Sequence, residues 1–151
     1  MNEFEVVEQR TQPVAAIKTK TSIDKLPKII GESYMKIMAY LDEIGEKPVD
    51  APYVAYYNMD MQNLEVELGF PVSKEISGKD DIMPGLIPAG KMVTTLYKGP
   101  YSGMEKVYND LFKWLGEKGY EASGVYYEYY FNSPMEVPES ELLTKIVIPL
   151  K

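Results

Sequence analysis

The chain has 151 residues, 45% apolar and 26% charged, so it is long enough to bury a core and too apolar for disorder. It contains no cysteine and no histidine, which excludes disulfides, thiol nucleophiles, zinc sites built from those residues and serine–histidine catalysis. A net charge of −7, with no basic stripe, opposes phosphate neutralisation and hence direct nucleic-acid binding; it favours cationic ligands or basic protein surfaces.

The first stretch, Met1 to Gln9, is charged and lacks an apolar core, so it does not read as a signal peptide. No apolar run approaches the roughly 20 residues that span a bilayer. A cytoplasmic protein that does not engage a membrane is expected. Phe4 to Lys20 reads as extended, interrupted near Pro13, which cannot donate to a ladder. A helix is predicted from Leu26 to Ile44, because Ile30, Tyr34, Ile37, Met38, Leu41 and Ile44 form one stripe, with Pro27 suited to its first turn and Gly45 to its exit.

Tyr53 to Tyr57 is aromatic and β-prone. In Leu64-Glu65-Val66-Glu67-Leu68 the alternation predicts one buried face and one wet face. Asn58 to Asn63 is read as a hairpin loop, and Ser73 to Pro88 as a connection between two halves of one domain. Beyond it, Gly90 to Tyr97 reads as a strand. Ser102 and Glu105 have capping-box spacing ahead of a helix over 102–117, whose stripe is Met104, Val107, Tyr108, Leu111, Trp114 and Leu115 and whose stop is Gly119. Strands at Val125–Phe131 and Leu142–Leu150 complete the chain.

The second half repeats the order of the first. Tyr34 and Tyr108, Leu41 and Leu115, and Asn58 and Asn132 are each 74 positions apart. Pro71 and Pro149 are 78 apart, which places a small insertion in the second hairpin loop. The expected fold class is therefore α+β: a duplicated βαββ unit, with pseudo-repeats at about 1–78 and 79–151 in one domain, joined edge to edge into one curved antiparallel sheet. Both helices are expected on one face and a pocket on the concave side between the halves. Strand edges left open would also allow a weak homodimer.

Several segments carry a family resemblance. Glu128-Tyr129-Tyr130-Phe131-Asn132-Ser133-Pro134 resembles the E-x-Y-hydrophobic-N-D-P signature of GyrI-like effector-binding domains. Leu143-Thr144-Lys145-Ile146-Val147-Ile148-Pro149-Leu150 resembles their closing strand, and Glu67-Leu68-Gly69-Phe70-Pro71-Val72 their E-x-G-hydrophobic-P-V strand. Pro88-Ala89-Gly90 and Gly99-Pro100-Tyr101 resemble their P-A-G and G-P-Y turns. Ser133 and Lys145 depart from the usual Asp and Glu. The resemblance implies the ligand-sensing module of AraC-type and MerR-type regulators in stand-alone form, with a pocket for apolar and cationic compounds. Some relatives of this kind inhibit DNA gyrase, and others resemble hydrolases that open strained cyclopropane-containing toxins. A chain of this length leaves no room for a helix-turn-helix domain.

Glu128 is the leading site candidate. Residues two apart share a strand face, so Tyr126, Glu128 and Tyr130 project together, a carboxylate between two phenols with no Lys or Arg beside it on the strand. A cationic ligand would supply the missing charge, and the rings would add cation–π attraction. A solvent-facing Glu on an exposed sheet is the plain alternative. By the repeat, Tyr56 matches Tyr130 and Val54 matches Glu128, so Tyr56 is expected to face the same cavity from the other half without a second carboxylate. Trp114, the only tryptophan, belongs to the core stripe of its helix, while the resemblance makes it a wall of the ligand site. Phe112, Tyr97 and Met38 are lesser wall candidates.

Two activities fit these residues. One is binding, in which an aromatic or cationic small molecule is sensed or sequestered. The other is hydrolysis, with Glu128 as base or electrostatic anchor and Tyr130 or Tyr126 as proton donor. Neither reading calls for a metal or a cofactor. A regulator protein or DNA gyrase is the further partner implied by the resemblance.

Overall fold

The computed structural model describes residues 3–151; Met1 and Asn2, which open the charged N-terminal stretch, lie outside the described residues. The fold is α+β with antiparallel strand pairing, and the chain divides into two compact units. One unit is Arg10–Ala89; the other is Gly90–Lys151 together with the described residues up to Gln9. The units divide after Ala89, and the stretch up to Gln9, which the sequence pattern groups with the first half, belongs with Gly90–Lys151.

Within Arg10–Ala89 the elements are β2 (Gln12–Thr21), α1 (Leu26–Glu43), β3 (Tyr53–Tyr56), β4 (Leu64–Pro71) and β5 (Met83–Ile87), numbered after β1 (Glu5–Gln9) of the other unit. Their strand order is β3-β4-β2-β5. The β5 strand is a correction: its Pro84 and Gly85 made the segment read as loop, yet it pairs with β2 from Gln12↔Ile87 to Ala16↔Met83. It ends this row of strands, a position where proline is tolerated. The predicted break near Pro13 falls instead at Arg10 and Thr11, and Pro13 lies inside β2.

Helix α1 forms where its stripe predicts. Ile37 and Leu41 pack on Ala15, Ile17, Phe70 and Val72. Pro27 sits in its first turn, and Gly45 takes a left-handed φ of 75° just past its end.

The second unit holds β1, β6 (Gly90–Lys98), α2 (Met104–Lys118), β7 (Tyr126–Tyr130) and β8 (Leu143–Pro149), in strand order β1-β6-β8-β7. Val107, Leu111 and Leu115 of α2 pack on Val93, Ile146 and Ile148. Gly119 closes the helix at φ 78°, as its position predicts. The capping box does not form. A short 3-10 turn over Tyr101–Gly103 leads into the helix, Gly103 takes the N-cap position, and no side chain caps it.

Duplication is visible in hydrogen bonds. Asn132 donates Nδ2–H to the Glu141 carbonyl at 3.0 Å and accepts the Leu143 N–H at 2.9 Å. Asn58 does the same with the Asn63 carbonyl and the Glu65 N–H, at 3.0 and 3.1 Å. Each amide ties the start of a hairpin loop to its end. Asn132→Ala removes both bonds and is expected to cost about 1–2 kcal/mol, read as a lower denaturant midpoint, with Asn132→Asp recovering only the acceptor half. No described helix is long and apolar enough to cross a membrane.

Candidate functional site

Register decides which β7 side chains meet. Glu128 lies opposite Ile146 and Tyr130 opposite Thr144, so both project on the face that carries α2. Tyr127 and Tyr129, opposite Val147 and Lys145, take the other face and are buried.

Both carboxylate oxygens of Glu128 are held by phenols. Tyr108, on α2, donates to Oε2 at 2.5 Å, and Tyr130 donates to Oε1 at 2.8 Å. The rings around it form a box. Tyr126 stands edge-on to both Tyr108 and Phe112, with centroids 6.2 and 5.8 Å apart, and Tyr101 stands edge-on to Tyr130 at 6.0 Å. Glu128 keeps partial solvent access, yet no Lys or Arg forms an ion pair with it among the described residues. Desolvation by the surrounding protein raises its pKa above the usual carboxylate range, against the lowering effect of the Tyr108 and Tyr130 hydrogen bonds. Tyr101 is likewise pushed up, first by burial and then by the Glu128 charge.

The raised pKa has a consequence for stability. A carboxyl whose folded pKa lies above its unfolded value favours folding in its protonated form, and that contribution is lost as pH rises through the folded pKa. Glu128→Gln, a permanent neutral mimic, is therefore expected to melt at the wild-type temperature below the ordinary carboxylate range and progressively above it at higher pH. Paired melting curves across the acidic-to-neutral range check the sign.

Trp114 lies on a different flank of α2, tilted against Phe4 at 5.8 Å and stacked on Tyr120 at 6.3 Å, with Lys118 Nζ 6.0 Å above its ring. Tyr56 is half-buried on β3 of the Arg10–Ala89 unit, in register with Val66, and Val54 is fully buried there. Pattern reading missed the role of Tyr108 and Tyr101. Tyr108 had been assigned only to a core stripe, although its 74-residue match to Tyr34 was a signal: Tyr34 donates to the Tyr53 carbonyl, where Tyr108 donates to a carboxylate.

A second carboxylate was misread. Glu67 was expected on a wet face but is only 7% exposed. It accepts from the Tyr53 hydroxyl at 2.6 Å and the Tyr57 hydroxyl at 3.3 Å, and Lys18 Nζ lies 3.9 Å away. Gly69 makes this geometry possible. A Cβ there would sit 2.6 Å from the Ala15 carbonyl oxygen and 3.0 Å from the Tyr53 hydroxyl, so the glycine of the E-x-G motif leaves room for the phenol to reach Glu67. Glu67 thus has an ion-pair partner within its own unit, whereas among the described residues no Lys or Arg pairs with Glu128. Among the described residues, no three Asp or Glu side chains converge as a metal site.

A family model described as a GyrI-like small molecule binding domain matches residues 2–151. The chain belongs to the GyrI-like family. GyrI-like domains bind small molecules, and that coarse function applies to this chain. In sequence, no curated protein matches. Solved structures share the fold of this GyrI-like domain. The EcmrR C-terminal domain superposes with a TM-score of 0.76 at 21% identity, covering 100% of this chain and 98% of its own. EcmrR in its complex with DNA gives 0.84 at 20%, covering 99% of this chain, which spans 57% of that chain's length. A hydrolase from Listeria innocua gives 0.74 at 13%, covering 99% and 92%, and SAV2435 bound to tetraphenylphosphonium gives 0.71 at 9%, covering 99% and 94%. At these identities the likeness is one of fold.

Proposed function

We propose that this GyrI-like domain binds lipophilic aromatic cations, with Glu128 as the charge anchor and Tyr101, Tyr108, Tyr126 and Tyr130 as the aromatic surround. The observation that carries the reading is a largely desolvated carboxylate held by two phenols, with no cationic side chain paired to it among the described residues. A ligand cation supplies that missing charge, and ring faces add about 0.5–2 kcal/mol of cation–π attraction. The tetraphenylphosphonium bound to SAV2435 has the chemistry such a site would take. Isothermal titration of the wild-type protein with tetraphenylphosphonium and with neutral triphenylphosphine oxide tests the reading. The cation should bind at least tenfold more tightly; equal affinity for the two would refute it.

A second reading rests on the same pair. A carboxyl with a raised pKa, 2.8 Å from the Tyr130 hydroxyl, also suits proton transfer during hydrolysis of a strained electrophile. Catalysed ring opening of an activated cyclopropane that is abolished in both Glu128→Gln and Tyr130→Phe would support that reading. Turnover at the uncatalysed rate would remove it.

A further inference from the structure

The two helices differ on their solvent sides. Outward positions of α2 are mostly polar, among them Glu105, Lys106, Asn109, Asp110 and Lys113. Those of α1 are not. Lys28, Gly31, Met35, Met38 and Asp42 follow one another at alternating spacings of three and four, so they form one exposed stripe, opposite the core face of Ile37 and Leu41. Met35 is 76% exposed and Met38 42%, and Ala39 lies exposed beside them. Charges on the flank are held within the unit, Lys36 by Asp81 at 2.8 Å and Glu43 by Lys79 at 2.9 Å. Lys28 has only the exposed Glu32, at 3.8 Å, and Asp42 pairs with no Lys or Arg among the described residues.

Gly31 is the residue that its own unit does not explain. A glycine inside a helix weakens it relative to almost any other residue. Its φ is not left-handed, and a Cβ there would meet nothing within 4 Å. What a bare backbone does offer is a close approach from outside, beside two flexible thioethers. The stripe is also self-complementary in one arrangement. With two copies of α1 antiparallel and Met35 against Met35, Gly31 of each faces Ala39 of the other, four positions from the centre, and Lys28 faces Asp42, seven positions from it. Parallel pairing would set Lys28 on Lys28 and Asp42 on Asp42. Sliding the antiparallel pair to bring Gly31 opposite Met35 would set Lys28 against Met38 and leave Asp42 unpaired. Charge therefore selects a single register. We infer that this face of α1 docks a second copy of the chain in that two-fold, antiparallel arrangement. One helix face per protomer is a small interface, so the dimer is transient and forms at high concentration. It is independent of the Glu128 reading.

Sedimentation velocity of the 151-residue chain tests it, from about 1 µM to about 500 µM, a range suited to a small, transient interface. Wild type should pass from monomer to dimer. Gly31→Gln should self-associate at least about tenfold more weakly, yet melt at or above the wild-type temperature when dilute, because glutamine is the better helix former. Lys28→Glu and Asp42→Lys should each weaken the dimer about fivefold, and the double variant Lys28→Glu/Asp42→Lys should restore it. Cross-linking checks the register, since the chain has no cysteine of its own. Met35→Cys should form a disulfide dimer rapidly under mild oxidation. Lys28→Cys, about 21 Å from its mate along the paired helices, lies beyond the roughly 7 Å that a disulfide can bridge. The proposal is overturned if wild type stays monomeric throughout, if the double variant does not restore the dimer, or if Lys28→Cys cross-links as fast as Met35→Cys. A monomer that instead sediments with phosphatidylcholine vesicles would mean that the methionine face meets lipid, which would overturn it equally.

Discussion

Glu128→Gln is expected to bind tetraphenylphosphonium roughly thirtyfold more weakly than wild type, a loss of about 2 kcal/mol. The amide keeps the shape of the side chain and removes its charge. Truncating one partner of a desolvated charge pair costs roughly 2–5 kcal/mol, and the partial solvent access of Glu128 places the loss at the lower end. Triphenylphosphine oxide, which has no charge to pair, should weaken by no more than a few-fold. The pH profile provides a second check. Because burial raises the Glu128 pKa, wild-type cation affinity should climb as pH rises through that elevated value, and in Glu128→Gln the climb should vanish. Equal weakening of cation and neutral compound, or an unchanged pH profile, would mean that Glu128 is not the anchor.

Leu111→Ala is expected to be the most damaging single substitution to the unit that carries the site, at about 2–5 kcal/mol. Leu111 is 0% exposed and lies at the centre of the α2 contact with Val93, Ile146 and Ile148, so truncation leaves a cavity that a helix held at both flanks closes poorly. Tyr108 is one turn away on the same helix, so the docking that Leu111 maintains also keeps the phenol on Glu128. Met35→Ala on α1 is the contrasting case. Its side chain is 76% exposed, and the change should fall within about 0.5 kcal/mol of wild type. Urea denaturation of the two variants side by side measures the difference.

Much of this protein is legible along the chain because the signals are local and periodic. The stripes of α1 and α2 place both helices to within two residues at either end, since an amphipathic face repeats every 3.6 residues whatever lies opposite. The matched pair Asn58 and Asn132 marks the duplication, because each amide closes its own hairpin loop with bonds to nearby backbone. The shared face of Glu128 and Tyr130 follows from the two-residue alternation of any strand.

What the tertiary structure decided is what meets those residues across long sequence separations. Tyr108 reaches Glu128 from 20 positions away, and only the docking of α2 over β8 and β7 brings the phenol there. Strand alternation assigns side chains to two faces but cannot say which face the helix covers, and it is the docking of α2 that puts Glu128 beneath Tyr108. The same limit hid Glu67, whose burial depends on Tyr53 crossing over Gly69, and β5, whose Pro and Gly are tolerated only because the strand ends its row. Trp114 follows the same rule: its helical stripe made it apolar core and the family resemblance made it a pocket wall, whereas only the packing shows Phe4 and Tyr120 around its ring.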